Sequence, residues 1–367
     1  MAAPGRRYVG AVADADIANS PELAQAFFEL HNAARSYKEA TVAQITRVAR
    51  NFRALSEYDY QLLVSRNGED PKELVNGMKD ALATNEKFVQ DVLQLSKPAP
   101  KLETPSNWES GYTHAGDKLK EAMRELAIEW SSEGVTERGR LHAPLVEALK
   151  RHLPETDGPK SVLVPASSTA RLPAEIAKAG FQVEAVEMSL VKCLFADRVL
   201  KAESAETFAC CPYVTETCNR RRKRDHLRQA KTPDAVLPRN SAVTLFHADF
   251  LQHVQGDRQY DGVAGLFWLD SGNCILTYIR ALARIIKPGG VFVHIGAFLY
   301  NQSNDDSNYA VAVMLSWDEV KQAMSRWFNF VEERVVHCYH VTNPQSLMET
   351  LYDAISFTAI RNEVPFE

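Results

Sequence analysis

Residues 160–187, KSVLVPASSTARLPAEIAKAGFQVEAVE, decide the fold. The apolar run SVLVP has the length and composition of a strand, a polar turn follows, Arg171 to Ala179 read as a helix, and FQVEAVE is a second strand. Strand, turn, helix and strand in this order form a βαβ unit, whose strands run parallel with the helix laid across them.

The alternation continues downstream through a helix from Ser189 to Leu200 and the strands AVTLFHAD (242–249), YDGVAGLFWLD (260–270) and GGVFVHIG (289–296). The expected fold is therefore α/β: a Rossmann-like, doubly wound sheet with helices on both faces and its ligand at the strand C-terminal ends. FVEERVVHCYHV (330–341) and DAISFTAI (353–360) are two later strands, expected as an antiparallel edge. Residues 201–240 break the alternation and read as an insertion.

Upstream, the pattern is helical. Ser20-Pro21 and Asp70-Pro71 each place a capping side chain before a proline suited to the first helical turn. Leu23, Phe27, Leu30, Ala34 and Tyr37 then recur at helical spacing, as do Leu74, Met78, Leu82, Phe88 and Val92 with one slip. KPAPKLETPSNWESGYTHAG (97–116) reads as a surface loop, followed by the helices LKEAMRELAIEW and TERGRLHAPLVEALKRHL. The expected organisation is a flexible N-terminus (1–19), an all-helical domain (20–155) and a Rossmann-like domain (156–367) carrying the insertion.

The 367 residues suit two cores, and 45% hydrophobic with 24% charged content needs neither metals nor disulfides to fold. A net charge of -5 supplies no general field for nucleic acid or anionic membrane, so a small neutral or zwitterionic substrate is the expected partner. The basic run Arg220 to Arg224 lacks interleaved aromatics and reads as a solvated face. Six cysteines without a CxxC pair read as reduced thiols, which points to cytoplasm or nucleus and leaves organelle targeting open. No run has transmembrane length, and no histidine spacing suggests a metal.

Several polar residues fall at strand ends. Glu187 closes the second strand, where a carboxylate can accept from both ribose hydroxyls; the competing reading is a helix-capping or solvated glutamate. Asp249-Phe250 follows the third, where an acid and a ring suit an adenine; a capping Asp before a core Phe fits as well. Asp270 ends the fourth and can orient a substrate amine or N–H, or else cap the helix beginning near Gly272. The turn PASSTARL has no glycine, so Ala166, Ser168 and Ala170 would bear the cost of any left-handed backbone there.

YKEATVAQITRVARNFRALS, EWSSEGVTER, VLVPASSTARLPAEIAKAGFQVEAVEMS, CNRRRKRDHLR, HADFLQ, FWLDSGN, IIKPGGVFVHIGAFLYN and SLMETLYDAISF together resemble the carnosine N-methyltransferase family of class I methyltransferases. The resemblance spans roughly residues 24–360 and includes the helical region and the insertion. It implies S-adenosylmethionine as cofactor, held by Ser168, Glu187, Asp249 and Phe250, and methylation of an imidazole or amine nitrogen in a small peptide or histidine-containing protein. Asp270 and Tyr352 are the implied catalytic and substrate contacts, with Asn301 as a third substrate contact.

Three departures stand out. The family turn resembles PGAGLGRL where this chain has PASSTARL; Glu125 and Ile128 replace a Gln and an Arg on the preceding helix; and Asn301 replaces a histidine, which makes carnosine itself an unfavoured acceptor. The alternative they open is a catalytically inactive methyltransferase fold that serves a protein partner as a binding or scaffold subunit. Oligomeric state stays open.

Overall fold

The computed structural model describes residues 6–7, 20–64, 70–93, 108–154, 158–238, 242–272, 274–300 and 313–366. Four long helices lead: α1 (Pro21–Arg53), α3 (Pro71–Val92), α4 (Trp108–Trp130) and α5 (Val135–His152), with the short α2 (Glu57–Val64) between α1 and α3. The anticipated caps start two of them. Ser20 Oγ accepts from Leu23 N–H at 3.3 Å, and the Asp70 carboxylate accepts from Lys72 N–H at 2.8 Å. α4 begins earlier than expected: Trp108 to Gly116, assigned above to a loop, is helical. The last proline of that stretch, Pro105, precedes the helix, so nothing beyond it forbids helical backbone.

The βαβ unit forms as read, with β2 (Ser161–Pro165), α6 (Arg171–Lys178) and β3 (Gln182–Glu187), and α7 (Leu190–Leu200) leads into the insertion. There β4 (Phe208–Cys210) and β5 (Ala230–Thr232) pair as a small antiparallel ribbon. The sheet then completes with β6 (Val243–His247), α8 (Phe250–His253), β7 (Tyr260–Leu266), α9 (Ile275–Ile285), β8 (Ile286–Gly296), α10 (Trp317–Met324), β9 (Phe328–Cys338) and β10 (Tyr352–Arg361). Arg6–Arg7, the described part of the N-terminal segment, form β1 and pair antiparallel with β6.

Strand order is β1-β6-β3-β2-β7-β8-β10-β9. β6, β3, β2, β7 and β8 run parallel, and β10 inserts antiparallel between β8 and β9, forming the expected edge. This is a Rossmann-like, doubly wound sheet with helices on both faces. Chain order reverses direction at β2, so the strand ends there open a crevice.

Two apolar cores flank the sheet, one around Trp268, Tyr278 and Phe292, the other around Leu145, Leu163's neighbour Val164 and Ile176. A third joins α1, α3 and α4 to α7 and to Cys210, Cys211 and Ala230 of the insertion. Asn85 on α3 stitches this layer: buried, it donates to Tyr37 Oη (2.7 Å) and the Cys211 carbonyl (2.9 Å) and accepts from Cys211 N–H (2.6 Å). Arg221 to Arg224 of the basic run are exposed. Among the described residues, no helix is long and apolar enough to cross a membrane and no acidic, His or Cys group is arranged to hold a metal.

Candidate active site

A cavity of about 780 Å³ opens at the C-terminal ends of β6, β3, β2 and β7, with α4 as its roof. Its volume suits a small molecule of cofactor size. Ser168, Glu187, Asp249, Phe250, Asp270 and Tyr352, scattered through the sequence, all line it. Asn301 lies outside the described residues.

The turn after β2 forms one wall. Ala166, Ser168 and Ala170 adopt left-handed backbone, with φ of 45°, 50° and 64°. Each such residue costs roughly 1 kcal/mol against glycine, so the surroundings must hold the turn in place. They do. Ser168 N–H donates to Glu187 at 2.9 Å, Thr169 N–H to Glu129 at 3.1 Å, and the Trp130 indole N–H to the Thr169 carbonyl at 2.8 Å. Phe267, Tyr300 and Val341, in the other loops around the cavity, are also left-handed. Backbone strain of this kind persists where tertiary contacts over-determine it, characteristically at ligand sites.

Glu187 is 7% exposed and accepts from Ser168 N–H and, at 2.8 Å, from Ser189 N–H. Burial raises its carboxyl above the usual range. A carboxylate offers about four acceptor positions, and two backbone donors leave room for ribose hydroxyls. Asp249 both caps α8, accepting from Gln252 N–H at 3.1 Å, and lines the cavity. Phe250 likewise packs into the core, edge-on to Trp268 at 4.7 Å, while showing part of its ring to the cavity.

At the far end Asp270, 6% exposed, does not cap the next helix. Cys274 occupies the cap position, without a side-chain capping bond. One Asp270 oxygen, Oδ2, instead accepts the N–H groups of Leu299 and Tyr300 and holds the loop leaving β8. Tyr352 stands edge-on to Phe267 at 5.3 Å, and His340 stacks flat on the opposite part of that wall, 4.2 Å from Phe267 with planes 5° apart. Burial lowers the His340 imidazole to about 4, so it is neutral at physiological pH.

Residues beyond those expected complete the site. Glu121, Glu125 and Glu129 recur every four residues on α4 and face the cavity. Glu125 binds the Ser168 hydroxyl and the Lys192 ammonium, the latter at 2.9 Å. Burial would raise Glu125, yet Lys192 and Ser168 outweigh it and hold the carboxyl below its usual range. Burial pushes Glu129 up to about 7. Ile128 is buried away from the cavity, its carbonyl bound by Arg138. The spacing of the three glutamates was a readable signal; the meeting of His340 with Phe267 across distant loops was not.

The carnosine N-methyltransferase family model matches residues 105–363. The chain belongs to that family. It is 28% identical over 260 residues to the carnosine N-methyltransferase of Dictyostelium discoideum, a match covering 67% of this chain and 55% of that protein. Against the rat carnosine N-methyltransferase the identity is 25% over 353 residues, 90% of this chain and 84% of that protein. The family member of Schizosaccharomyces pombe is 28% identical over 64% of this chain and 68% of its own length.

Proposed function

We propose that this family member is an S-adenosylmethionine-dependent N-methyltransferase whose acceptor is an imidazole or amine nitrogen of a small peptide or protein. One observation carries the proposal: a single cavity at the strand ends unites an adenosine-type wall, Glu187, Asp249 and Phe250, with an acceptor wall, Asp270, His340 and Tyr352. The residues suit an adenosyl group. Ser167 lines the cavity, and its hydroxyl is buried without a hydrogen-bond partner.

The cofactor supplies a methyl group on a positively charged sulfur. Glu187 would hold the ribose hydroxyls, and Asp249 the adenine amine beside the Phe250 ring. Asp270 keeps Oδ1 for an N–H of the acceptor, which turns the opposite ring nitrogen and its lone pair toward the cofactor. Tyr352, Phe267 and the neutral His340 wall in the acceptor and exclude water. Rate would come from alignment of nucleophile and methyl, a contribution that positioning alone makes large.

A second reading, an inactive binding or scaffold subunit, draws on the strained turn: three left-handed non-glycine residues crowd the approach to the cofactor. Calorimetric titration with S-adenosylmethionine and its demethylated product, with labelled-methyl transfer to carnosine and histidine-bearing peptides, separates the two. Binding with transfer supports the enzyme. Binding without transfer to any imidazole or amine favours the scaffold, and brisk transfer to carnosine overturns the expectation drawn from Asn301.

A further inference from the structure

The cavity's charge is lopsided. Glu121, Glu125, Glu129, Glu187, Asp249 and Asp270 line it, against Lys192 as the one fixed cation among the described lining residues. Neighbouring guanidinium groups are committed elsewhere: Arg138 and Arg171 both pair with Asp234, and Arg124 pairs with Glu216. Lys192 is itself ion-paired to Glu125.

Strand order says where a ligand meets this field. The row β6, β3, β2, β7 sets Asp249, Glu187, the Ser168 turn and Asp270 side by side, with adjacent strands about 4.8 Å apart. A nucleoside held by Asp249 and Glu187 therefore sends its 5′ substituent over β2 and β7, directly under the α4 carboxylates. Ser167, buried to 5% exposure with an unpaired hydroxyl, sits at the base of that path. A hydroxyl without a partner thus meets a wall on which carboxyls outnumber cations, although Glu125 is paired with Lys192 and burial pushes Glu129 up to about 7.

We propose that this tail subsite selects adenosyl ligands by positive charge: it favours a 5′ tail with a net cation, and a tail carboxylate weakens binding instead of anchoring it. The inference rests on the adenosyl reading given above. It assigns Glu121, Glu125 and Glu129 as the specificity-determining groups. It also predicts that the sulfonium donor outcompetes the uncharged thioether that remains after transfer, so product inhibition is weak.

The test is calorimetric titration of the full chain with four probes: adenosine, S-adenosylhomocysteine, S-adenosylmethionine and decarboxylated S-adenosylmethionine. Tail charge rises through the last three. In a partly solvated site a unit charge a few ångströms from the net negative wall is worth roughly tenfold in affinity. The expected order is decarboxylated donor over donor over product, about tenfold per step, with steps that shrink as salt is raised. Glu121→Gln, on the exposed side of the wall, should flatten the steps and leave adenosine affinity unchanged. Equal affinity for donor and product overturns charge selection while the adenosyl reading survives. Weaker binding of the decarboxylated donor shows that the carboxylate is an anchor and overturns it too. Failure of all four probes, adenosine included, overturns the adenosyl reading and this inference with it.

Discussion

The two ends of the cavity are built differently. At the β6–β3 end, Asp249 and Phe250 do ordinary structural work, capping a helix and filling a core, and present what remains to the cavity. At the β2 end the turn sits in left-handed backbone that its residues resist, held by hydrogen bonds from β3 and α4. The first end would look much the same without a ligand. The second is held in shape by the site's own polar groups, so substitutions there should move fold and binding together.

Glu187 joins the two ends, and its loss should have the largest effect. Glu187→Ala leaves the Ser168 and Ser189 N–H groups without their acceptor, at about 1–3 kcal/mol each, and would remove the proposed ribose contact. We expect at least a hundredfold loss of S-adenosylmethionine affinity by calorimetry, together with a lower melting temperature. Asp270→Asn should reduce methyl transfer about tenfold or more with cofactor affinity unchanged, since the amide oxygen can still accept both loop N–H groups, as Oδ2 does, but its NH₂ repels an acceptor N–H. An unaffected rate would remove Asp270 from the mechanism.

Asp249→Ala should weaken the cofactor about tenfold with little change in melting, the cap of a short helix being a minor loss. A large stability loss would erase the contrast between the ends. Protonation tests the strained end. The Glu129 carboxyl, pushed up to about 7 by burial, faces Thr169 and Ser168 of the turn, Glu125 on its own helix and Arg171 of α6. The unfolded chain releases this proton near the ordinary carboxylate value, so the folded state's advantage is full below that value and is lost as pH rises through about 7. Glu129 alone therefore lowers stability between pH 5 and 7.5, while the buried imidazoles of His340, His226 and His294, lowered by burial, act in the opposite direction, so the wild-type melting temperature should fall over that range relative to that of Glu129→Gln. The smallest effect is expected from Ala166→Gly and Ala170→Gly, each relieving roughly 1 kcal/mol of left-handed strain, less the extra chain entropy of glycine. Thermal melts within a few degrees of wild type, on the stable side, are the expected result.

The sheet was legible because period-two apolar runs, a helix between them and turn residues all agreed over residues 160–296. Strand-end acids followed from that placement: Glu187, Asp249 and Asp270 all reach the cavity. What Asp270 does was not legible, since its partners Leu299 and Tyr300 come from the next strand's far end. Nor was the roof. Glu125 read only as a departure from the family's Gln, and only the packing of α4 over the turn shows it bonded to Ser168 and Lys192. The start of α4 was misplaced because the prolines at its head made all of residues 97–116 read as a loop, whereas the chain is helical from Trp108 and Gly116 is tightly seated: a Cβ there would come 2.7 Å from Ser36 Oγ of α1.

That third core, shared by α1, α3, α4, α7 and the β4–β5 ribbon, bears on how the chain can be cut or recombined. Severing it at residue 155 would strip the apolar undersides of α7 and the ribbon and remove the acceptor and donor that Asn85 offers Cys211. The sheet could not be borrowed alone as a module, nor the helices swapped for another roof, without baring that seam to water. Roof and floor should melt as one cooperative unit, seen as a single calorimetric transition in which loss of the cavity and loss of the sheet coincide.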